Sequence, residues 1–295
     1  GIKSVGTAAD IFNGSAVAEV TLPSTLTTIP QGMFKNNVFT AITLPAGLTS
    51  IGANAFENVP LTAIVMPEGL TTIGASAFAG TSLTEISFPA GITSIGASAF
   101  KEVAFTMTKL ELPEGLKTLG ASAFAGKARA ESAETEGEYD YKGCSAIEEI
   151  VLPSTLTTLE ASVFENLYQL YQVNLENVQT LNAKVFAYAG AGRTDGKKLE
   201  VTFDALTKTS ASRPTISKDN VLTKDGTGAF MYSSLRKATF TKASAVKGSL
   251  FYQANELEEV VLPQDLTELP SYMFAYSGLK EYTMPEHITD LAGYS

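Results

Sequence analysis

The 295-residue chain has no tryptophan, one cysteine and one histidine. A lone cysteine, Cys144, excludes an intramolecular disulfide. With His287 as the sole imidazole, no zinc site of four cysteines, or of two cysteines and two histidines, can exist within the chain. A Cys–His catalytic pair would need these two residues, and nothing in the sequence brings them together. The missing tryptophan removes the commonest sugar-stacking side chain. Basic residues are also scarce: 21 Lys and Arg stand against 31 Asp and Glu, for a net charge of −10. That sign argues against a nucleic-acid partner, which needs its phosphates neutralised. It argues equally against docking on anionic lipid through basic residues. No apolar run approaches the roughly 18 residues of a spanning helix, so no membrane insertion is expected in this segment. No P-loop, G-x-S-x-G, H-E-x-x-H or EF-hand loop is present, and no cofactor is expected.

What the chain does have is a period. Phenylalanine recurs at 12, 34, 56, 78, 100, 124, 164, 186, 230, 251 and 274, mostly 21 to 24 residues apart. Eleven of the sixteen phenylalanines thus fall in one column, which is expected to be core. The clearest unit runs from Leu83 to Phe100. Ile86-Ser87-Phe88 alternates as a short strand does, and Pro89 ends it because proline has no N–H for a ladder. Gly91 turns the chain, Ile92 and Ile95 are three apart, and Gly96-Ala97-Ser98-Ala99-Phe100 reads as one helical turn that drops Phe100 inward. One such unit cannot bury its own apolar side, but a stack of them can, and the result is a solenoid. A parallel β-helix is the alternative, and it would need about three strands per rung. The A-S-A-F segment favours helix over strand, which ranks that alternative lower.

The pattern L-x-x-I-x-L-P-x-x-L-x-x-I-G-x-x-A-F resembles the leucine-rich repeats of the BspA-like bacterial surface proteins, over nearly the whole chain. Gly143-Cys144-Ser145-Ala146-Ile147 is similar to that family's G-C-S-x-L junction; otherwise Cys144 is a small buried loop residue. The resemblance implies an α/β-type solenoid: a right-handed superhelix with a parallel concave sheet and short helical turns or irregular convex segments. Eleven strands are expected, ending at Leu22, Leu44, Met66, Phe88, Leu112, Leu152, Leu175, Phe203, Phe240, Leu262 and Met284.

Residues 1–295 are expected to form a single solenoid that begins and ends inside a repeat, either as a fragment or with unusual residues over its ends. Two insertions interrupt it. Lys127 to Asp140 is polar and aperiodic and reads as an exposed loop; its acids Glu136, Glu138 and Asp140 are a weak cation candidate. The second lies within 189–226, as one repeat with insertions or as a degenerate extra repeat. Gly192-Arg193-Thr194-Asp195-Gly196 is a turn there, not a phosphate cradle.

Two surfaces are candidates for binding. On the strand face, Lys109 lies between Glu85 and Glu149, and Lys237 between Glu200 and Glu259. Cross-strand pairing worth about 0.2–1 kcal/mol each is the structural reading, and a polar face that steers a partner is the functional one. Paired carboxylates such as Glu259 and Glu281 match the spacing of glycoside hydrolysis, but a solvent-washed face offers no desolvation to split their roles. All eleven tyrosines lie after residue 138. Tyr188, Tyr232 and Tyr276 sit two residues past the column phenylalanine, where earlier repeats hold Gly14, Asn36, Asn58, Gly80, Glu102, Gly126 and Asn166. With Tyr252, they form either a binding edge or loop packing. His287 reads as an exposed loop residue.

No enzyme activity is expected. The resemblance implies a secreted or surface-anchored bacterial protein that adheres to host matrix or cell-surface proteins, with a glycan as the second partner class. A structural spacer within a larger surface protein and a carbohydrate-binding module are the competing functions.

Overall fold

The computed structural model describes residues 10–131, 139–141, 143–212, 215–216, 222–224 and 227–292. The chain divides into two compact units, Gly1–Leu156 and Thr157–Ser295, each a stack of repeats.

In the first unit the rungs are joined at the back. Thr28–Ile29, Ser50–Ile51, Thr72–Ile73, Ser94–Ile95 and Thr118–Leu119 form a parallel ladder in register. The isoleucines point inward and are fully buried, as the alternation of a strand requires. Thr49, Thr71 and Thr93 face out, and each hydroxyl donates to the threonine carbonyl one rung below at 3.0–3.2 Å. The glycines after Ile51, Ile73 and Ile95 permit this approach. A Cβ at Gly74 or Gly96 would lie 2.5 Å from the backbone nitrogen of Ala53 or Ala75 on the previous rung.

The A-S-A-F segments are not helical. Ser76, Ser98 and Ser122 have φ of 53–56°, in the left-handed region. The turn aims alternate N–H groups at the next rung: Ser98 donates to Ala121 and Phe100 to Ala123, both at 2.8 Å. Inter-rung bonding outweighs helix propensity here, because one turn has no second turn to propagate into. The phenylalanines below stack with centroids 5.1–5.8 Å apart from Phe12 to Phe124. Nine of the eleven column phenylalanines, in the two units together, are buried; Phe12 is 39% exposed and Phe274 is half-buried.

The expected front strands form only in part. Lys109–Glu111 pairs in parallel with Glu149–Val151, but the segments ending at Leu22, Leu44, Met66 and Phe88 are not strands. There the rungs are held by isolated backbone bonds, with Thr62 donating to Thr40, Thr84 to Thr62 and Thr106 to Thr84. Gly52, Gly74, Gly96 and Gly120 let the rungs approach closely at the back of the stack.

The second unit has both ladders. Thr158–Leu159, Thr180–Leu181 and Lys208–Thr209 pair at the back. Leu199–Phe203, Leu235–Phe240 and Glu259–Val261 form the front sheet, and Gln172–Val173 is also a strand. Glu268–Leu269 pairs with Asp290–Leu291; the segment ending at Met284 is not a strand. The described helix content is one 3-10 turn, Ala243–Ala245.

Each insertion carries a short antiparallel strand pair among its described residues. Ala130–Glu131 pairs antiparallel with Tyr139–Asp140. Thr215–Ile216 pairs antiparallel with Leu222–Lys224. The stretch from Phe186 to Phe230 is therefore one rung carrying insertions: its front strand ends at Phe203, its back strand is Lys208–Thr209, and the hairpin intervenes before Phe230.

Candidate functional site

The column two residues past the core phenylalanine turns the chain from one face to the next. In the second unit it reads Asn166, Tyr188, Tyr232, Gln253 and Tyr276, all with φ between 55 and 62°. Glycine and asparagine suit that conformation; a tyrosine there carries a cost of about 1–2 kcal/mol. In the first unit Gly14, Asn36, Asn58, Gly80 and Glu102 hold the same left-handed conformation.

The rings offset part of that cost by packing on each other. Tyr188 and Tyr232 stack with centroids 5.1 Å apart and planes 27° apart. Tyr168 lies 6.4 Å from Tyr188, is itself buried, and donates its hydroxyl to Asn166 Oδ1 at 3.0 Å. Tyr276 is 59% exposed and meets Tyr252 edge-on at 5.4 Å. Tyr252 does not stand on the edge, contrary to the sequence expectation. It is 1% exposed and forms a buried cluster with Ala187 and Met231, on which Tyr188 and Tyr232 pack. One residue of displacement from the left-handed column sends its ring inward. Gln253 occupies the column position on that rung, and its Oε1 is buried without a hydrogen-bond partner.

Sequence reasoning missed two aromatic contributors. Tyr168 lies two residues beyond the column, where the period carries no signal. Tyr171 has the Arg193 guanidinium 4.6 Å and the Lys197 ammonium 4.4 Å from its ring centroid. Arg193 also donates to the Gln169 carbonyl at 2.5 Å and pairs with Asp195. The bond from Arg193 holds the Asp195 carboxyl below its ordinary range.

On the front face the expected pairings are partly rearranged. Lys237 and Glu259 are in register and pair at 2.8 Å. Glu200 is in register with Lys237, yet its carboxylate bonds Arg236, which also reaches Glu258 at 3.9 Å. A register shift between Leu199 and Glu200 brings Arg236 within reach, and no sequence period shows such a shift. Lys109 pairs with Glu111, two residues on in its own strand, rather than bridging Glu85 and Glu149. Its pKa rises above the ordinary lysine value, first through the Glu111 bond, with Glu149 adding a weaker attraction. Glu85 stands on a rung without front pairing, so it has no strand register with Lys109.

Cys144 is half-buried, its thiol 3.6 Å from the Lys127 carbonyl, and burial pushes its pKa up. That suits a packing role over a reactive one. His287 is also half-buried rather than exposed, and its Nε2 is enclosed without a partner. Glu136 and Glu138 lie outside the described residues. Among the described residues no three of His, Cys, Asp and Glu gather as metal ligands. No described helix is long and apolar enough to cross a membrane.

Comparison with known proteins follows this geometry. Among solved structures, a leucine-rich repeat protein from Bacteroides ovatus is similar over 96% of this chain and 77% of its own, with a TM-score of 0.52 and 20% identity. The T. pallidum leucine rich repeat protein is similar over 60% of this chain and 78% of its own, at TM-score 0.45 and 21% identity. One from Eubacterium ventriosum covers 92% and 80%, at TM-score 0.40 and 20% identity. At such identity the Bacteroides likeness shows the fold. No curated protein sequence matches. The family described as BspA type leucine rich repeat region (6 copies) matches residues 7–131, 127–191 and 205–295. With its 22-residue rungs, stacked phenylalanine column and parallel ladders, the chain belongs to the BspA-type leucine-rich repeat family.

Proposed function

We propose that the protein is a non-catalytic binding module of a bacterial cell surface or secreted protein, and that it adheres to a host matrix or cell-surface protein. The tyrosine edge of the second unit is the contact surface, with the Arg236, Lys237 and Glu259 face beside it. Repeat folds of this family serve as protein-binding surfaces, and the observation behind the choice of edge is backbone strain. Tyr188, Tyr232 and Tyr276 occupy left-handed positions where the first unit holds mainly glycine and asparagine. The same conformation recurs at this column in both units, so what singles out these three is a bulky ring where glycine or asparagine would serve with less strain. Tyrosine offers large contact area with few rotatable bonds, which suits a protein interface.

The geometry favours a protein over a glycan. A sugar stacks on an open ring face, whereas Tyr188 and Tyr232 turn faces toward each other at 5.1 Å.

The test is an array of host matrix proteins and glycans probed with the parent protein and a Tyr188→Ala, Tyr232→Ala, Tyr276→Ala variant. A protein spot bound by the parent and lost in the variant is expected. A spot retained by the variant moves the contact to the front face or the Lys127–Asp140 hairpin. No bound spot of either kind favours a structural spacer.

A further inference from the structure

The tyrosine edge does not end at Tyr276. Two residues past Gln253 and Tyr276, the chain passes Asn255 and Gly278, and these open onto a groove of about 590 Å3 in the second unit. That volume lies in the range of ligand-binding clefts. Fully buried Leu257 lines it. A side chain at Gly278 would run into the Asn255 carbonyl, so the backbones of the two rungs meet closely at this point.

The remaining lining is charged, and of both signs. Lys198 pairs with Glu256, and Glu258 lies 3.9 Å from Arg236. Lys280 and Glu281 also line the groove, are exposed, and make no ion pair among the described residues. The groove thus presents one uncommitted cation and one uncommitted anion side by side. The exposed Tyr276 lies two residues before the groove residue Gly278 in the chain.

We propose that this groove binds an extended polypeptide segment that carries both an acidic and a basic residue and sets an aromatic or prolyl side chain against Tyr276. This rests on the protein-binding reading above and names the kind of segment recognised. Three features select a peptide. Mixed walls complement a chain with both charges and disfavour a polyanion, since glutamates outnumber lysines along the lining. Main-chain N–H and C=O groups alternate along an extended peptide and can satisfy polar walls. Tyrosine beside a polar groove suits an aromatic or prolyl anchor.

A phage-displayed library of random linear dodecapeptides, panned on the immobilised full chain, tests it. Enriched sequences are then synthesised and measured against the parent and a Lys280→Glu, Glu281→Lys exchange variant, which keeps the net charge. Circular dichroism melts of both proteins establish that the exchange leaves the fold intact. The expected result is enrichment of peptides with an aromatic or proline near an acid and a base. Their affinity should fall about tenfold or more on the exchange variant. Peptides with acid and base interchanged should regain binding to it. Failure to enrich any peptide, or equal binding to both proteins, overturns the proposal. Oligosaccharide binding lost on exchange, with no peptide enriched, overturns it in favour of a glycan. The matrix-protein array separates the two readings: bound matrix proteins without enriched peptides leave the protein-binding function standing and remove the groove. Enriched, exchange-sensitive peptides without a bound matrix protein leave the groove standing and remove the host-matrix partner.

Discussion

Tyr188 and Tyr232 stack at 5.1 Å although each sits at a left-handed φ, 62 and 55° respectively. The stack and the buried Tyr252 cluster beneath it offset the strain at these two positions. Tyr276, at φ 56° and 59% exposed, has less to offset it. Tyr276→Gly is therefore expected to leave stability unchanged or raise it by up to about 1 kcal/mol. Tyr232→Gly should lower it by about 1–2 kcal/mol, because buried ring area and a stacked pair are lost. Urea titrations of the two variants compare these effects directly. Equal destabilisation by both would show that the exposed ring is structural.

The phenylalanine column dominates the core. Phe78 is fully buried and lies between Phe56 and Phe100 at 5.2 and 5.3 Å. Phe78→Ala should cost about 3–5 kcal/mol, the range for a large aromatic removed from a packed site. A shift in denaturant midpoint with an unchanged slope is the expected signature.

Gly96 tests the back ladder. Its Cβ would meet Ala75 nitrogen at 2.5 Å, and backbone cannot yield as a side-chain tip can. Gly96→Ala should destabilise by about 1–3 kcal/mol despite alanine's better intrinsic propensities. A thermal melt equal to the parent's would mean that the rungs can separate freely.

Asp204 gives a dependence on pH. Its carboxyl accepts from the Thr241 hydroxyl and pairs with Lys242 at 3.0 Å, and these hold its pKa below the ordinary 3.8. A depressed acid contributes stability above its unfolded pKa and loses it as pH falls through the folded value. The stability gap between the parent and Asp204→Asn should be constant near neutral pH and close on acidification below 3.8. Urea midpoints measured across that interval are the check; a gap that widens in acid would contradict the assignment.

Lys237 and Glu259, at 2.8 Å, form the in-register pair that the sequence anticipates. Both side chains are partly exposed, so a double-mutant cycle should give about 0.2–1 kcal/mol, diminishing as salt is raised.

Several features were legible before any coordinates. A column of phenylalanines one rung apart can only be buried by stacking, so Phe34 to Phe124 announce the stack. The unequal tyrosine distribution located the edge at Tyr188, Tyr232 and Tyr276. The helical reading of A-S-A-F failed because propensity describes an isolated segment, whereas Ser98 and Phe100 bond to the next rung. Tyr252 was misplaced because a shift of one residue past the phenylalanine reverses the side chain from edge to core. Arg236 and the groove beside Gly278 were not legible at all, since each depends on which residues of different rungs come together.

The linear pattern carries the rung: its 22-residue period, its inward side chains, the proline that ends the front segment and the glycine that lets neighbours approach. These are local demands, met within one repeat or between identical neighbours, so they can be read along the chain. Packing between rungs settled which ladder closes, which tyrosines stand out and which charges meet. In the described part of the first unit the front pairs only where Lys109–Glu111 meets Glu149–Val151, so Glu85 finds no strand partner. In the second, a register shift delivers Glu200 to Arg236. That shift is a displacement of one residue between rungs, too small to leave a mark on the period and large enough to change which side chains touch.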